Sequence, residues 1–197
     1  GLLAHDIDIA YAYKPLHHGS VAHAFTNAIL YLDYQRSGYD YPTICFPLNC
    51  YGRRVVSARG FLTRMDAALE FDPPSPSPKR FMQVGAATAR VLKESPWRVA
   101  LIASSSWSHA FLVDAHWRLR PDTAADRELY EAMRAGDFGA WRATPLTAIE
   151  DAGQQELLNW FALAGAMEEL GARLEWSEFA ETHVFNSNKV FAVYGSA

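Results

Sequence analysis

The spacing of hydrophobic residues predicts helices in four stretches of the chain. In the stretch 79–94, apolar residues recur every three or four positions, at Phe81, Val84, Ala87, Val91 and Leu92. This period places them on one face of a helix. Similar spacing and composition predict further helices at 21–35, 123–135 and 153–170.

Short apolar runs between these helices predict strands. The run 97–103 (WRVALIA) lies between Pro96 and a group of serines, and we expect it to be the best-buried strand of the chain. Further strands are predicted at 6–13, 41–49, 175–179 and 189–194. Helices that alternate with short strands predict an α/β fold: one layered α/β/α domain over residues 1–197, with a mixed central sheet covered on both faces.

Composition and charge exclude several classes of protein. Half of the 197 residues are hydrophobic and 13% are aromatic, which is enough apolar material for one folded domain and too much for a disordered chain. No run of about 18 apolar residues is present, so we expect no membrane-spanning helix. The net charge of −4 comes without a basic stripe, so we expect no nucleic-acid partner. The first residues do not resemble a secretory signal, and we expect a cytoplasmic protein.

The turn after the predicted buried strand carries the first candidate for catalysis. The sequence SSSWSH at 104–109 places His109 just beyond the carboxyl end of that strand, where α/β proteins gather ligands. A neutral imidazole there can accept or donate a proton near neutral pH. A surface or helix-capping histidine would give the same pattern. A Ser108–His109 nucleophile pair is a weaker hypothesis, because neighbouring side chains on an extended segment point apart and no Gly-x-Ser-x-Gly turn is present.

Two adjacent histidines, His17 and His18, lie in the loop after the first predicted strand. Paired histidines suggest a metal site. However, His18 and His23 are five positions apart and miss the four-residue step that places two ligands on one helix face. A pair of solvated loop side chains explains the pattern more simply.

An acidic residue, Glu156, lies early in the predicted helix 153–170 among apolar neighbours, and we expect it to be largely buried. The helix dipole stabilises a carboxylate near a helix N-terminus, so a structural role explains it. A metal ion would stabilise an inward-pointing carboxylate far more.

Four motifs follow one another along the chain. They are His18-Gly19 before an apolar helix, a proline-containing strand that ends at Asn49, an apolar strand that leads to Ser108-His109, and an acidic helix with Glu156 and Trp160. As an ordered set, over essentially the whole chain, they resemble the class III extradiol ring-cleavage dioxygenases of the LigB type, the family of the protocatechuate 4,5-dioxygenase β-subunit.

The resemblance implies a non-haem Fe(II) enzyme that cleaves the ring of a catecholic compound with O2, next to the diol, in aromatic catabolism. Such a site has two histidines and one carboxylate, and it keeps positions open for a small aromatic diol and O2. By this resemblance Glu156 is the carboxylate ligand, and His109 is an acid/base residue outside the metal's own ligands. His18 is the other histidine near the substrate, and Asn49 and Ser108 are substrate contacts.

One part of the family pattern has no counterpart in this sequence. In the family both iron-binding histidines lie upstream of the His-Gly loop, whereas here the one histidine well before His18 is His5. We therefore expect the chain to correspond to about the C-terminal two-thirds of the family's domain, truncated at its N-terminus.

Three explanations of the missing histidines stay open. The chain is a fragment, a subunit whose partner chain supplies the ligands, or a relative that has lost iron and serves as a binding or scaffold protein. An incomplete sheet would expose an apolar edge, so we expect a homo-oligomer or a partner chain that completes the site. A Ser/His hydrolase is the remaining hypothesis for function.

Overall fold

The structure is a computed structural model that describes residues 1–13, 19–52, 74–182 and 186–195. Its helices are α1 His23–Leu32, α2 Pro78–Lys93, α3 Thr123–Ala135, α4 Phe138–Ala143, α5 Leu146–Asp151 and α6 Leu158–Leu170. Two strands follow, β1 Arg173–Ala180 and β2 Lys189–Gly195. Short 3-10 turns lie at Leu2–His5, Ala110–Leu112, Asp114–His116 and Gln155–Leu157. None of the helices in these ranges has the length and apolar character needed to cross a bilayer.

Helices α2 and α6 form the most extensive helix contact in the described part of the chain. Helix α6 has eight buried residues distributed around its axis, as expected for a helix at the centre of a core. The two backbones approach closely at one glycine on each helix. A Cβ atom added to Gly85 would overlap the carbonyl oxygen of Ala162, and one added to Gly165 would overlap that of Met82. Glycine is therefore required at both positions.

Tryptophan rings connect this helix pair to the chain around residue 107. The ring of Trp107 packs edge-on against Trp160 of α6, with 5.5 Å between centroids, and against Trp141 of α4, with 6.3 Å. Trp107 and Trp141 are almost completely buried, and such aromatic pairs add about 0.5–1.5 kcal/mol to the burial of the rings. This packing fixes the segment that leads to His109 against the first turn of α6.

The two strands form an antiparallel sheet whose register pairs Ala180 with Lys189. Helix α3 packs on β1, where the rings of Tyr130 and Phe179 lie 5.3 Å apart. The start of β2 therefore lies next to the end of β1. Just before β2, Ser187 forms an isolated antiparallel bridge with His109, so the start of β2 also lies beside the segment that contains Trp107.

The predicted helices are confirmed, with shifted ends. Helix α3 has the predicted limits, and α1 and α2 differ from theirs by a few residues. The helix predicted at 153–170 begins later, at Leu158, because Gly153 has a left-handed backbone (φ +66°) and a 3-10 turn follows it. The short helices α4 and α5 were not predicted.

The strand predictions have a mixed outcome. Strands β1 and β2 confirm those predicted at 175–179 and 189–194. Those at 6–13, 41–49 and 97–103 are wrong, because none of these segments pairs with another strand in the described ranges. The segment 97–103 is also not buried: Trp97 is 78% and Ile102 is 50% exposed. A strand obtains its backbone hydrogen bonds from a neighbour about 4.8 Å away, so an apolar run does not make a strand alone.

The described residues therefore form an α/β arrangement with one small antiparallel sheet. The predicted mixed central sheet is not present among them. The candidate site lies where the Trp107 segment, the turn before α6 and the start of β2 meet.

Candidate functional site

Two of the predicted site residues lie together. The Nε2 atom of His109 is 3.8 Å from Oε2 of Glu156, and their side chains are 12% and 25% exposed. His109 follows the buried Trp107 segment, and Glu156 lies in the 3-10 turn Gln155–Leu157 that precedes α6. The Trp107–Trp160 contact described above joins these two elements, so packing of the core brings the imidazole and the carboxylate to one place.

Two further groups hold the Glu156 carboxylate. The hydroxyl of Tyr51 donates a hydrogen bond to Oε1, and the backbone N–H of Ser106 donates to Oε2 at 3.4 Å. The carboxylate thus has a fixed orientation that includes a contact from a segment about a hundred residues away in sequence.

Backbone contacts fix the position of His109. Its N–H donates to the carbonyl oxygen of Gly153 at 2.9 Å, and its backbone forms an isolated antiparallel bridge with Ser187. A Cβ atom on residue 153 would lie 2.8 Å from the carbonyl oxygen of His109. Gly153 therefore combines a left-handed backbone with a close approach that no other residue type tolerates. The ring of His109 packs edge-on against Phe111, with 5.0 Å between centroids.

The surroundings of His109 favour the neutral imidazole. Burial lowers the pKa of His109, the negative charge of Glu156 opposes this shift, and the positive charge of Lys189 adds to it. Because the ordinary pKa of histidine is already below 7, the ring is neutral at neutral pH. A neutral, buried imidazole beside a carboxylate can accept a proton from a bound molecule.

The side chains of Cys50 and Tyr51, which lie near Glu156, are also uncharged. Burial and the hydrogen bond to Glu156 raise the pKa of Tyr51. Burial and the charge of Glu156 raise the pKa of the Cys50 thiol to about 12. Both side chains therefore remain protonated near neutral pH and add no second negative charge.

A cation lies near the pair. Lys189, the first residue of β2, donates a hydrogen bond from Nζ to the carbonyl oxygen of Ser187 at 3.2 Å. Burial lowers the pKa of Lys189, while the charges of Glu156 and Asp126 oppose the shift. The site thus contains a carboxylate, a neutral imidazole and a partly buried ammonium group.

Ser108, predicted as a substrate contact, is completely buried. Its hydroxyl donates to the carbonyl oxygen of Ala152 at 2.6 Å and accepts from the N–H of Asp122 at 2.7 Å. Because the hydroxyl is engaged by backbone groups, it does not face the space next to His109. In the described part of the chain no serine oxygen forms a hydrogen bond with the ring of His109, so the hydrolase hypothesis gains no support from geometry.

The other two predicted residues are not brought to the pair. Asn49 is exposed, and its side chain forms no hydrogen bond with a described residue, although Tyr51 two positions later reaches Glu156. His18 lies outside the described residues. Tyr51 and Lys189 were not predicted as site residues from the sequence. Their position is the signal that could have identified them: Tyr51 lies two residues after the proline-containing strand predicted to end at Asn49, and Lys189 is the first residue of a predicted strand.

The described residues do not form a complete metal site. Within the ranges that the structure describes, no three His, Cys, Asp or Glu side chains converge closely enough to hold an ion. The pair supplies one carboxylate and one imidazole, fewer than the two histidines and one carboxylate expected for a non-haem iron centre.

Comparison with known proteins identifies the family. The family model described as the catalytic LigB subunit of aromatic ring-opening dioxygenase matches residues 71–192. This match covers more than half of the chain and includes His109, Glu156 and Lys189. No curated protein matches the chain. The chain therefore belongs to the family of the catalytic LigB subunit of aromatic ring-opening dioxygenase.

Proposed function

We propose that the chain contributes the catalytic side chains of a non-haem Fe(II)-dependent extradiol dioxygenase, which opens the ring of a catecholic compound with O2. The observation that carries the proposal is the pairing of His109 with Glu156 at 3.8 Å inside the region matched by the family. These residues are distant in sequence, and the resemblance to extradiol enzymes assigns them complementary roles as acid/base residue and carboxylate ligand.

In this proposal His109 handles protons of the substrate. Its buried ring is neutral, so Nε2 accepts the proton of a phenolic hydroxyl that is placed against it. The negative charge of Glu156 stabilises the imidazolium that results. The hydroxyl of Tyr51 and the N–H of Ser106 keep the carboxylate in place during this transfer.

The substrate is a small aromatic diol. We propose Asn49 as a polar contact at the exposed end of the segment that leads to Tyr51. Ser108 acts through its backbone contacts instead, because its hydroxyl is buried.

The iron itself requires donors beyond those described. Glu156 and His109 do not fit Fe(II) by themselves, because one carboxylate and one nearby imidazole leave the histidine ligands unfilled. We propose that the missing donors come from outside the described residues, on a partner chain that completes the site.

The experiment compares two substitutions in the native protein, isolated with any chain that copurifies. Iron content is measured after anaerobic loading with Fe(II), and O2 consumption is measured with catechol and protocatechuate as probes. We expect Glu156→Ala to lower iron content at least about tenfold, because a ligand is lost. His109→Phe should retain the iron and lower turnover at least about 100-fold, because proton transfer is lost.

A matched histidine serves as the control. His116 contacts the carbonyl oxygen of Pro121 and has no contact with Glu156, so His116→Phe should change neither measurement. The roles assigned above would be wrong if His109→Phe removed the iron while Glu156→Ala retained it.

A second function is favoured by one observation. Among the described residues no three His, Cys, Asp or Glu side chains converge closely enough to hold an ion, which is also what a non-catalytic binding protein on the same fold would have. Native protein that takes up no iron in any assembly, and consumes no O2 with either probe, would support this alternative.

A further inference from the structure

A buried carboxylate next to the candidate site takes no part in the proposed chemistry. Asp126 lies in the first turn of α3 and is completely buried. It forms no salt bridge within the described residues, yet it accepts three hydrogen bonds. Its Oδ1 accepts from the N–H of Ser108 at 3.0 Å and from Nε2 of Gln154 at 2.8 Å, and its Oδ2 accepts from Nδ2 of Asn188 at 2.8 Å.

The three donors come from three separate segments, and each segment carries a group of the site. Ser108 directly precedes His109, and Gln154 lies two residues before Glu156. Asn188 directly precedes Lys189. The Asp126 carboxylate therefore connects the three segments that carry the imidazole, the second carboxylate and the ammonium group of the site.

Further hydrogen bonds keep these segments together. As described above, the hydroxyl of Ser108 forms hydrogen bonds with the backbone of Ala152 and that of Asp122. The N–H of Ala110 donates to the carbonyl oxygen of Asn186 at 2.8 Å. Asn188 also donates to Thr123 at 3.1 Å. Asp126 lies at the centre of this network, because it is the acceptor shared by all three segments.

Helix packing alone does not explain a carboxylate at this position. Burial of a charged group is unfavourable, and an apolar side chain would pack equally well here if it did not have to accept hydrogen bonds. Three donors that converge on one point do require an acceptor, because a buried donor without a partner costs about 1–3 kcal/mol.

We propose that Asp126 is a positioning residue that holds His109 against Glu156 by anchoring the segments of Ser108, Gln154 and Asn188. The proposal rests on the proposed function only for the statement that this pair takes part in a reaction. The geometry of the pair can be measured without iron or turnover.

Nuclear Overhauser contacts between the ring protons of His109 and the side-chain protons of Glu156 test the proposal in the full chain. Asp126→Ala should abolish these contacts while the protein remains folded, because three donors lose their shared acceptor. Asp126→Asn should retain them. The buried Oδ1 of Asn188 has no hydrogen-bond partner among the described residues, so this side chain can rotate and accept a hydrogen bond from the new amide. Rescue by the near-isosteric variant separates positioning from a general loss of stability.

A second variant covers the case in which Asp126→Ala does not fold. Gln154→Met keeps most of the side-chain volume and removes one donor, and it should weaken the same contacts. Asp137→Ala is the control, because Asp137 caps α4 by accepting from the N–H of Ala140 at 2.8 Å. It should lower stability and leave the contacts unchanged.

Unchanged contacts in folded Asp126→Ala would overturn the proposal, and so would unchanged contacts in Gln154→Met where Asp126→Ala is unfolded. If the contacts respond as expected but neither iron nor O2 consumption is found, the proposed function fails and the positioning role stands.

Discussion

The helix pair α2–α6 and the segment 97–103 are both rich in apolar residues, but their surroundings differ completely. Helix α6 has eight buried residues, whereas Trp97, Val99 and Ile102 are 78%, 49% and 50% exposed. A helix satisfies its backbone hydrogen bonds internally, so it can be buried as soon as another helix packs on it. A strand depends on a neighbouring strand for the same bonds. Apolar sequence therefore leads to burial only where the rest of the chain provides the partner.

The largest effect should come from the closest contact between the two helices. Gly165→Ala places a methyl group against the carbonyl oxygen of Met82, and we expect the free energy of unfolding to fall by at least about 3 kcal/mol because the helices must separate. Gly19→Ala is the matched control. Apart from its chain neighbours, no atom of a described residue lies within 4 Å of the added methyl group there, so the change should be within about 0.5 kcal/mol. Equal urea midpoints for the two variants would show that the helix contact is looser than described.

Two isoleucines test the contrast between buried and exposed apolar residues directly. Ile149 of α5 is completely buried, whereas Ile102 is half exposed. We expect Ile149→Ala to lower the free energy of unfolding by about 2–5 kcal/mol and Ile102→Ala by less than about 1 kcal/mol. Both values come from urea unfolding followed by circular dichroism. A loss at Ile102 as large as that at Ile149 would mean that the segment 97–103 is covered in solution, and the comparison would then break down.

The sequence predicted the helices better than the sheet for the same physical reason. The periodicity of Phe81, Val84 and Ala87 reports a helix that depends on local hydrogen bonds, and α2 is found with nearly the predicted limits. The apolar run 97–103 reports only that burial would be favourable. It contains no information on whether a pairing strand is present, so its burial was predicted wrongly.

The candidate site was predictable in part. His109 and Glu156 were identified by residue type, by their position after a predicted strand and early in a predicted helix, and by a family resemblance. Tyr51 and Asp126 were missed because their roles come from contacts distant in sequence. The contact of Tyr51 spans 105 residues, and the three donors of Asp126 are 18, 28 and 62 residues away. No local pattern marks a buried acceptor whose three donors are brought to it by the fold.

The same contrast between a buried and an exposed side chain is found at the two cysteines of the segment that leads to Tyr51. Cys50 is buried and Cys45 is exposed. Burial raises the pKa of Cys50 from 9.0 to about 12, so the folded state keeps a proton that the unfolded state loses above about pH 9. The stabilisation is complete below pH 9 and decreases as the pH rises towards 12. Between about pH 9 and about pH 10.5, we expect Cys50 to account for a loss of about 1–2 kcal/mol.

This loss should disappear in Cys50→Ala and persist in Cys45→Ala. The measured quantity is the difference between the free energies of unfolding at the two pH values, so the constant effect of the smaller side chain cancels. A wild-type pH dependence that Cys50→Ala leaves unchanged would show that the thiol is not desolvated as described.

The smallest effect should come from charge at the surface of the helix pair. Arg90 of α2 and Glu169 of α6 form an ion pair with 2.7 Å between Nη1 and Oε2, and their side chains are 40% and 33% exposed. Solvent screens such a pair, so we expect a coupling energy below about 1 kcal/mol in a double-mutant cycle of Arg90→Ala and Glu169→Ala. The coupling should decrease further at about 0.5 M salt. A coupling above about 2 kcal/mol that resists salt would indicate that charge, and not the close glycine contact, holds α2 against α6. Because both partners are accessible to water and the glycines are not, we expect the packing contact to dominate.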